Sequence, residues 1–578
     1  MGGLSAVIRP IRALKRQRFD LTPVVWVLAT LLLVLLILGP MSFLVRESFL
    51  VREGLFLTEA SWGLDNYIEA YTNPLYRSPI LWTLIVACSV SLISLTIGSL
   101  MAWAVSRTDV PFPRFLRTAV LISFVTPPFL GATAWVFLAG PRQGWLNVIY
   151  RYISGAGEES YLFNIFSMEG VIFAMVLYVF PLVFIVVHAG LNSVPSDMED
   201  AANISGAGTL STMTGITLPL VMPALFAGLI MAFLEAMILF GTPAMLAIPA
   251  GQHVMTTQIR AFMQSDEYQV GLASAFALPM LLAAVALLWL RRKVLGRRSY
   301  ATIGGKGGQR RRQKLGPYRW VVFGLCLIPL FCSILLPYTA LGIASLLKTQ
   351  GNGLRWSNLT LANYRFIFAN EAATNAMVNT VILATMAATA GAILAALIAY
   401  IAQRRLVRGY QFLSFLATMP MAIPGIVLAV GLFTAYTHKP LALYGTLWIL
   451  FLAYLTKYLP IAYQTSNAAL MSIHPELEEG ARILGANRLG VFKDITVPLF
   501  KEGLIASWIL IFMPSLRELS SSVLLWTTNT KVLSVVILDF YEEGWLENVA
   551  ALGVLLLGIT LVVVILSYRL IGRDILQA

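Results

Sequence analysis

The sequence predicts an all-α integral membrane protein of about twelve transmembrane helices, built as two tandem six-helix domains. Charged residues make up 12% of its 578 residues and hydrophobic residues 58%, whereas soluble domains carry roughly 25% charged residues. Twelve apolar runs are long enough to cross the roughly 30 Å hydrocarbon core of a bilayer. Features of the first six runs recur in the last six, which indicates an internal duplication.

The apolar runs divide evenly between the two halves of the chain. They lie at 22–45, 79–105, 115–139, 168–192, 218–240 and 269–290, then at 318–347, 376–402, 411–436, 442–468, 497–515 and 546–570. The run at 497–515 is interrupted by Lys501, Glu502 and Pro514, and its assignment depends on its counterpart at 218–240. The predicted domains are a basic amino-terminal segment (1–21), a first six-helix domain (22–290), a basic Gly-rich linker (291–317) and a second six-helix domain (318–578).

The duplication is visible in residues that recur with an offset of 297. These are Asn66-Tyr67 and Asn363-Tyr364, Thr83 and Thr380, and Arg107 and Arg404. Because each half has an even number of predicted spans, the two copies should run parallel through the membrane, related by an axis along its normal.

Lysine and arginine predict the orientation of the chain, because they concentrate in cytoplasmic loops. Segments 1–21 and 291–317 carry most of the excess positive charge, so both are predicted to be cytoplasmic, and so are both termini. The amino-terminal run exceeds a signal-peptide core and lacks a small-residue cleavage motif, so we expect an anchor. The segments predicted to face outward are 46–78, 140–167, 241–268, 348–375, 437–441 and 516–545.

Two polar segments on the predicted cytoplasmic side share one pattern with an offset of 279. Asp200 to Pro219 and Glu479 to Pro498 each have an acidic residue, a small residue, Ala, Gly at +6, Ile at +16 and Pro at +19. Each segment should begin with a helix whose first turn is acidic, which suits the positive end of the helix dipole. Gly206 and Gly485 can then end that helix in the left-handed conformation.

This pattern resembles the "EAA" loop of permease subunits of ATP-binding-cassette importers, by which the membrane subunit docks on its ATPase. Two copies imply two fused permease domains with the type I importer fold, although Gly480 stands where the family usually has Ala and Asp200 where it has Glu. The coupling residues that the resemblance implies are Glu199, Asp200, Ala201, Ala202, Gly206, Pro219, Glu478, Glu479, Gly480, Ala481, Gly485 and Pro498.

The resemblance also implies a location and partners. It implies a multi-pass protein of the bacterial inner membrane, two copies of a cytoplasmic ATPase that hold ATP and Mg, and one periplasmic or lipid-anchored substrate-binding protein. No phosphate-binding loop occurs, because Lys306 is followed by Gly307 rather than Ser or Thr, so ATP hydrolysis by this chain is not expected. We expect neither an enzyme nor a bound cofactor, and membrane lipids rather than nucleic acid as the partner of the linker.

Ionisable residues inside the apolar runs are candidates for the transport pathway, because charge at bilayer depth is costly. Glu235 is the clearest, followed by Lys457 and Arg517-Glu518. Arg517 to Leu525, and Phe240 to Pro243 in the first half, resemble the fused permeases of ferric-iron importers, so Phe240 joins the candidates. The metal ligands, if any, cannot be chosen from the four histidines, because no pair has the spacing of a metal site.

Several alternatives stay open at this point. Ferric iron is the substrate favoured by the resemblance, but related permeases carry polyamines, thiamine, phosphonates or sugar phosphates. An ion-coupled secondary transporter with parallel repeats is the alternative from another class, and it would require several buried carboxylates or broken helices at mid-membrane. A membrane-bound enzyme is disfavoured, because no cluster of His, Asp or Cys residues is evident.

Overall fold

The computed structural model of the protein describes residues 22–53, 59–194, 198, 201–202, 204–265, 269–296, 313–437 and 439–571. Most of these residues are helical. The sheet in this part of the chain is one antiparallel hairpin, β1 (Leu50–Glu53) and β2 (Glu59–Trp62). The predicted all-α class is therefore confirmed.

The helices follow the order of the predicted runs. Those of the first half are α1 (Thr22–Ser48), α2 (Asp65–Thr72), α3 (Pro74–Arg107), α4 (Pro113–Val125), α5 (Pro128–Ala139), α6 (Trp145–Ser154), α7 (Met168–Ser193), α8 (Met213–Ile238), α9 (Gly241–Leu246), α10 (Met255–Gln264) and α11 (Val270–Gly296). Those of the second half are α12 (Tyr318–Ala344), α13 (Ala362–Ala369), α14 (Glu371–Gln403), α15 (Tyr410–Ala422), α16 (Gly425–Tyr436), α17 (Leu447–Met471), α18 (Pro475–Ile483), α19 (Lys493–Leu516), α20 (Leu533–Glu542) and α21 (Leu546–Ile571).

The number of candidate spans is lower than the twelve expected. Among the described residues, nine helices are long and apolar enough to cross a membrane, and two bent pairs raise that number to eleven if each counts as one span. The nine are α1, α3, α7, α8, α11, α12, α14, α19 and α21. Helix α17 occupies the remaining predicted run and has 25 residues, which is long enough to span, but it is less apolar than the others.

The runs predicted at 115–139 and 411–436 are each formed by two helices with a sharp bend between them. Helices α4 and α5 meet at 96°, and α15 and α16 meet at 112°. The residues between them are extended, with ψ angles of 128° at Thr126, 122° at Pro127, 112° at Ile423 and 141° at Pro424. Proline restricts the preceding residue to extended conformations and lacks the N–H that a helix interior needs, so each span breaks there.

Two of the predicted outward segments are also more ordered than loops. Within 241–268 the chain forms α9, whose residues are all buried, and α10, whose residues are mostly buried. Within 516–545 it forms the mostly buried α20. Helices α9 and α10 carry Met, Leu, Ile and Phe, helix α20 carries Leu, Val, Ile and Phe, and these apolar side chains pack into the protein instead of facing water.

The duplicated residues make the same contacts in both halves. Each asparagine amide donates two hydrogen bonds to backbone carbonyls at the end of the first helix of its half. The bonds run from Asn66 Nδ2 to Ser48 O (3.3 Å) and Leu50 O (3.0 Å), and from Asn363 Nδ2 to Ser345 O (2.9 Å) and Leu347 O (2.8 Å). All four acceptors obey the offset of 297, so the duplication predicted from sequence is structural.

The two halves exchange their first helices. The end of α1 packs against α16 of the second half, and the end of α12 packs against α5 of the first half. Tyr436 Oη donates to Leu35 O at 2.6 Å, and Trp135 Nε1 donates to Cys332 O at 3.2 Å. Each broken span is therefore held partly by the opposite half, which couples the two domains mechanically.

Candidate functional site

The two predicted docking loops are the polar segments 196–218 and 475–497. The second begins with helix α18, as its sequence predicts. Helix α18 has Pro475 in its first turn, where the missing N–H has no partner to lose, and Glu476 and Glu478 lie near its positive end. After the helix, Gly485 has a φ angle of 93°, and Gly206 in the first loop has a φ angle of 83°. The predicted left-handed conformation of both glycines is confirmed.

Glu478 faces the protein interior. Its Oε1 accepts bonds from Arg404 Nη2 (2.9 Å) and Nε (3.1 Å) and from Thr496 Oγ1 (3.0 Å). Its Oε2 accepts from Tyr400 Oη at 3.3 Å. The residue is 6% exposed, so its carboxylate ties the loop to the end of α14 and to the start of α19. Glu478 is therefore a buried residue of the loop, and the sequence pattern alone did not reveal its burial.

The tip of the second loop is exposed and apolar. Ile483 is 86% exposed and Leu484 is 90% exposed, while Glu479 and Gly480 are exposed beside them. In the first loop Ile204, which corresponds to Ile483, is 87% exposed. Large apolar side chains in water are expected where another protein covers them. Both loops therefore present an equivalent surface for a partner.

Two of the other predicted coupling residues, Glu199 and Asp200, lie outside the described residues. Ala201 is exposed and Ala202 half-buried, and Ala481 is half-buried within α18. Pro219 and Pro498 are exposed, and each follows one π-helical turn at the start of α8 or α19. Both loops thus pass into the membrane helices by the same local geometry.

A second cluster of charges lies where α19 ends. Glu518 is 4% exposed and accepts bonds from Lys457 Nζ at 2.7 and 2.8 Å. Tyr458 Oη also donates to it, and so do the backbone N–H and hydroxyl of Ser521, at 2.9 and 3.0 Å. A buried ion pair is tolerated when its remaining hydrogen-bonding capacity is satisfied in this way.

This ion pair lies against the break between α15 and α16. A Cβ atom added to Gly425 would come within 2.7 Å of Lys457 Nζ and 3.4 Å of Glu518 Oε1. Only glycine therefore lets the charged groups approach the backbone so closely. The pair and the second break form one packed unit.

Arg517 contacts the other break. Its Nη1 donates to the carbonyl oxygen of Val125 and, at 3.4 Å, to that of Phe124. These are the last carbonyls of α4, and a cation is favoured at the negative end of a helix. Two adjacent residues of the second half, Arg517 and Glu518, therefore hold both broken spans.

Glu235 lies near the end of α8 and lines a cavity of about 140 Å³. The other lining residues are Leu182, Met231, Leu234, Ile238, Ala284, Leu288, Met421, Ala422 and Pro424. The charges of Lys457, Arg517 and Glu518 act on its carboxylate. Four of the five pathway candidates, Glu235, Lys457, Arg517 and Glu518, are thus near enough for their charges to interact.

Phe240, the fifth candidate, is not part of this cluster. It is fully buried, and the Arg260 guanidinium lies 6.0 Å from the centroid of its ring. Arg260 in turn pairs with Glu542 of the second half at 2.5 Å. Phe240 therefore packs at the contact between the halves, beside the pathway candidates rather than among them.

Metal ligands are scarce in the described part of the chain. No group of three or more His, Cys, Asp or Glu side chains is close enough to hold a metal ion there. His253 is half-buried, and burial lowers the pKa of its imidazole, which disfavours its charged form. His438 lies outside the described residues.

Sequence comparison gives several relatives. A ferric transport system permease protein FbpB of Actinobacillus pleuropneumoniae is 26% identical over 78% of this chain and 65% of its own length. An Fe(3+)-transport system permease protein of Haemophilus influenzae is 23% identical over 83% of this chain and 88% of its own length. A spermidine/putrescine transport system permease protein PotC of the same species is 28% identical over 38% of this chain and 85% of its own length. The chain spans 65% of the length of each of the two FbpB relatives that it matches with 26% identity.

A family model matches in two segments, residues 64–299 and 391–577. Each segment covers most of one predicted six-helix domain, in agreement with the repeated contacts of the two halves. The relatives are transport permeases, which argues against the enzyme alternative. The chain belongs to the family of inner membrane components of binding-protein-dependent transport systems, of which it carries two fused copies.

Proposed function

We propose that this chain is the permease of an ATP-driven importer, in which two cytoplasmic ATPases move the membrane helices through the two docking loops. The observation that carries this proposal is the equivalence of the loops, since both have a left-handed glycine and the same exposed isoleucine. ATP and Mg would be held by the ATPases. Both termini would be cytoplasmic, and a binding protein would deliver substrate on the opposite side.

The broken spans bear on the secondary-transporter alternative, because such a transporter requires several buried carboxylates or broken helices near mid-membrane. In this chain, the breaks are held by Arg517 and by the Lys457–Glu518 pair at the end of α19. Helix α19 starts at the second docking loop and ends next to the residues that hold the breaks, so one helix connects the loop with the breaks. This continuity, together with the family, supports coupling to an ATPase instead of to an ion gradient.

The composition of the complex tests the proposal. The purified chain should show no ATP hydrolysis of its own, and should associate with two copies of a separate ATPase. Native mass spectrometry of the complex should give one copy of this chain for every two ATPases. Two copies of this chain per complex would contradict the fused arrangement.

We propose ferric iron as the substrate, because three relatives aligned over most of this chain are named ferric or Fe(3+) transport permeases. A polyamine is the second candidate. It is favoured by the cavity at Glu235, where one carboxylate and apolar walls suit an ammonium group better than a trivalent metal. Uptake of each substrate into proteoliposomes, with the cognate binding protein present, distinguishes the two.

Valine in place of Gly485 is expected to uncouple ATP hydrolysis from transport. A Cβ atom at this position would meet nothing within 4 Å, so the requirement for glycine comes from the backbone conformation alone. A β-branched residue held at positive φ costs about 1–3 kcal/mol, which favours a different turn after α18. Substrate-stimulated ATPase activity in liposomes is the measurement.

Gly480→Ala is the matched control for this experiment. Gly480 lies within α18, is exposed, and also has open space at its Cβ position. Alanine stabilises a helix by up to about 1 kcal/mol relative to glycine, so stimulation should be retained. Normal stimulation in Gly485→Val would contradict a coupling role for the turn.

A further inference from the structure

The two broken spans occupy equivalent positions in the two halves but differ in what they bind. With the offset of 297, α4 corresponds to α15 and α5 to α16, residue for residue at both ends. The last carbonyls of α4, at Phe124 and Val125, therefore correspond to those of Met421 and Ala422. At the first break, these carbonyls accept bonds from the guanidinium of Arg517.

The second break has no equivalent cation in the sequence. With the offset of 279 that relates the docking loops, Arg517 corresponds to Ile238. Ile238, Met421 and Ala422 all line the cavity of about 140 Å³. The cavity therefore occupies the place where, by the symmetry of the two halves, a guanidinium would lie.

The wall of this cavity also carries a carboxylate. Glu235 is half-buried, and its side-chain carboxylate forms no hydrogen bond or ion pair within the described part of the chain. Lys457 is neutralised by Glu518, and Arg517 is held at the other break. Among the charges that act on Glu235, neither cation therefore occupies the cavity as its direct partner.

We propose that the cavity is a binding site for a small organic cation with N–H donors, such as a guanidinium or a primary ammonium group. Glu235 would pair with the charge, and the carbonyls at the end of α15 would accept its N–H groups, as those of α4 do from Arg517. The apolar walls suit the alkyl part of such a ligand. A volume of about 140 Å³ is close to the ~150 Å³ of an engineered cavity that holds benzene.

The same features disfavour a metal ion as the ligand. A hard divalent ion prefers about six oxygen ligands, whereas the lining residues offer one carboxylate, two thioethers and the carbonyl oxygens of Met421 and Ala422, which are too few oxygen ligands for such an ion. The proposal does not depend on import or on the partner ATPase. Its failure would remove the observation that favours a polyamine as substrate, and it would leave the proposed permease function untouched.

Binding to the purified full-length chain tests the site. Isothermal titration with methylguanidinium should show one site, and Glu235→Gln should weaken binding at least tenfold. Tetramethylammonium has the same charge but no N–H donors, so its binding should be at least tenfold weaker than that of methylguanidinium. Equal binding of the two cations, or unchanged binding in Glu235→Gln, would overturn the proposal.

A tethered cation provides a second test that does not need a free ligand. Ile238→Arg should fill the cavity from the position that symmetry assigns, raise the thermal midpoint and abolish binding of methylguanidinium. Ile238→Met fills similar space without charge and serves as the matched control. The stabilisation by Ile238→Arg should disappear when Glu235→Gln is present, and stabilisation that persists there would contradict the assigned role of Glu235.

Discussion

Replacing Glu478 by alanine is expected to separate the second docking loop from the helices that enter the membrane. The carboxylate is buried and accepts bonds from Arg404, Tyr400 and Thr496, which belong to two other segments. The substitution leaves the Arg404 guanidinium largely buried without its ion partner, and such a loss costs roughly 3–5 kcal/mol. The thermal midpoint of the purified chain should fall, and substrate should no longer stimulate ATP hydrolysis by the reconstituted complex.

The neighbouring residue provides the control. Glu479 is exposed, so Glu479→Ala should leave the thermal midpoint unchanged and affect only association with the ATPase. These results would show that Glu478 holds the loop in place and that Glu479 faces the ATPase. An equal thermal midpoint for wild type and Glu478→Ala would show that the buried contacts do not hold the loop.

The arrangement of the chain into two copies could be predicted from the sequence because the copies keep their residues in register. Asn66 and Asn363 make identical contacts, and Gly206 and Gly485 share one backbone conformation. Each of these features is local in sequence, since the asparagine bonds span 16 to 18 residues and each glycine ends a single turn. Local features of this kind leave a pattern that survives in a single sequence.

The bends within these two spans were not predicted, because the apolar composition of a run indicates its length and not the directions of the helices in it. Pro127, Pro128 and Pro424 stand in the sequence, but an apolar run that contains proline can either kink or turn. Bends of 96° and 112° result here because two consecutive residues at each break are extended. The surrounding helices, including those exchanged between the halves, determine that outcome.

The charge cluster was predicted only as separate residues. Lys457 and Glu518 are 61 positions apart, and nothing in the sequence indicates that they pair. Glu235 and Arg517 come from different halves, and their charges interact because α8 and α19 both end beside the breaks. Glu478 and Glu479 were grouped together because adjacent acids look alike in a sequence, although one is buried and the other exposed.

Neutralising Lys457 or Glu518 alone is expected to cause the largest loss of stability in the membrane domain. Lys457→Met leaves a buried carboxylate with fewer donors, and Glu518→Gln leaves a buried ammonium without its counter-ion. Each change should cost roughly 3–5 kcal/mol and lower the thermal midpoint of the purified chain. The double variant removes both charges, so it should recover most of the lost stability.

Transport should not recover in the double variant, which separates the role of the pair in transport from its effect on stability. The ion pair packs on Gly425 at the second break, and neutral side chains would no longer fix α16 against α17 and α19. Lys531→Met serves as the control, because Lys531 pairs with Asp539 at 2.6 Å in the same half but away from both breaks. Stimulated ATPase activity and uptake in proteoliposomes should be retained in the control and lost in the double variant. Full uptake by the double variant would show that the charges at the break serve folding alone.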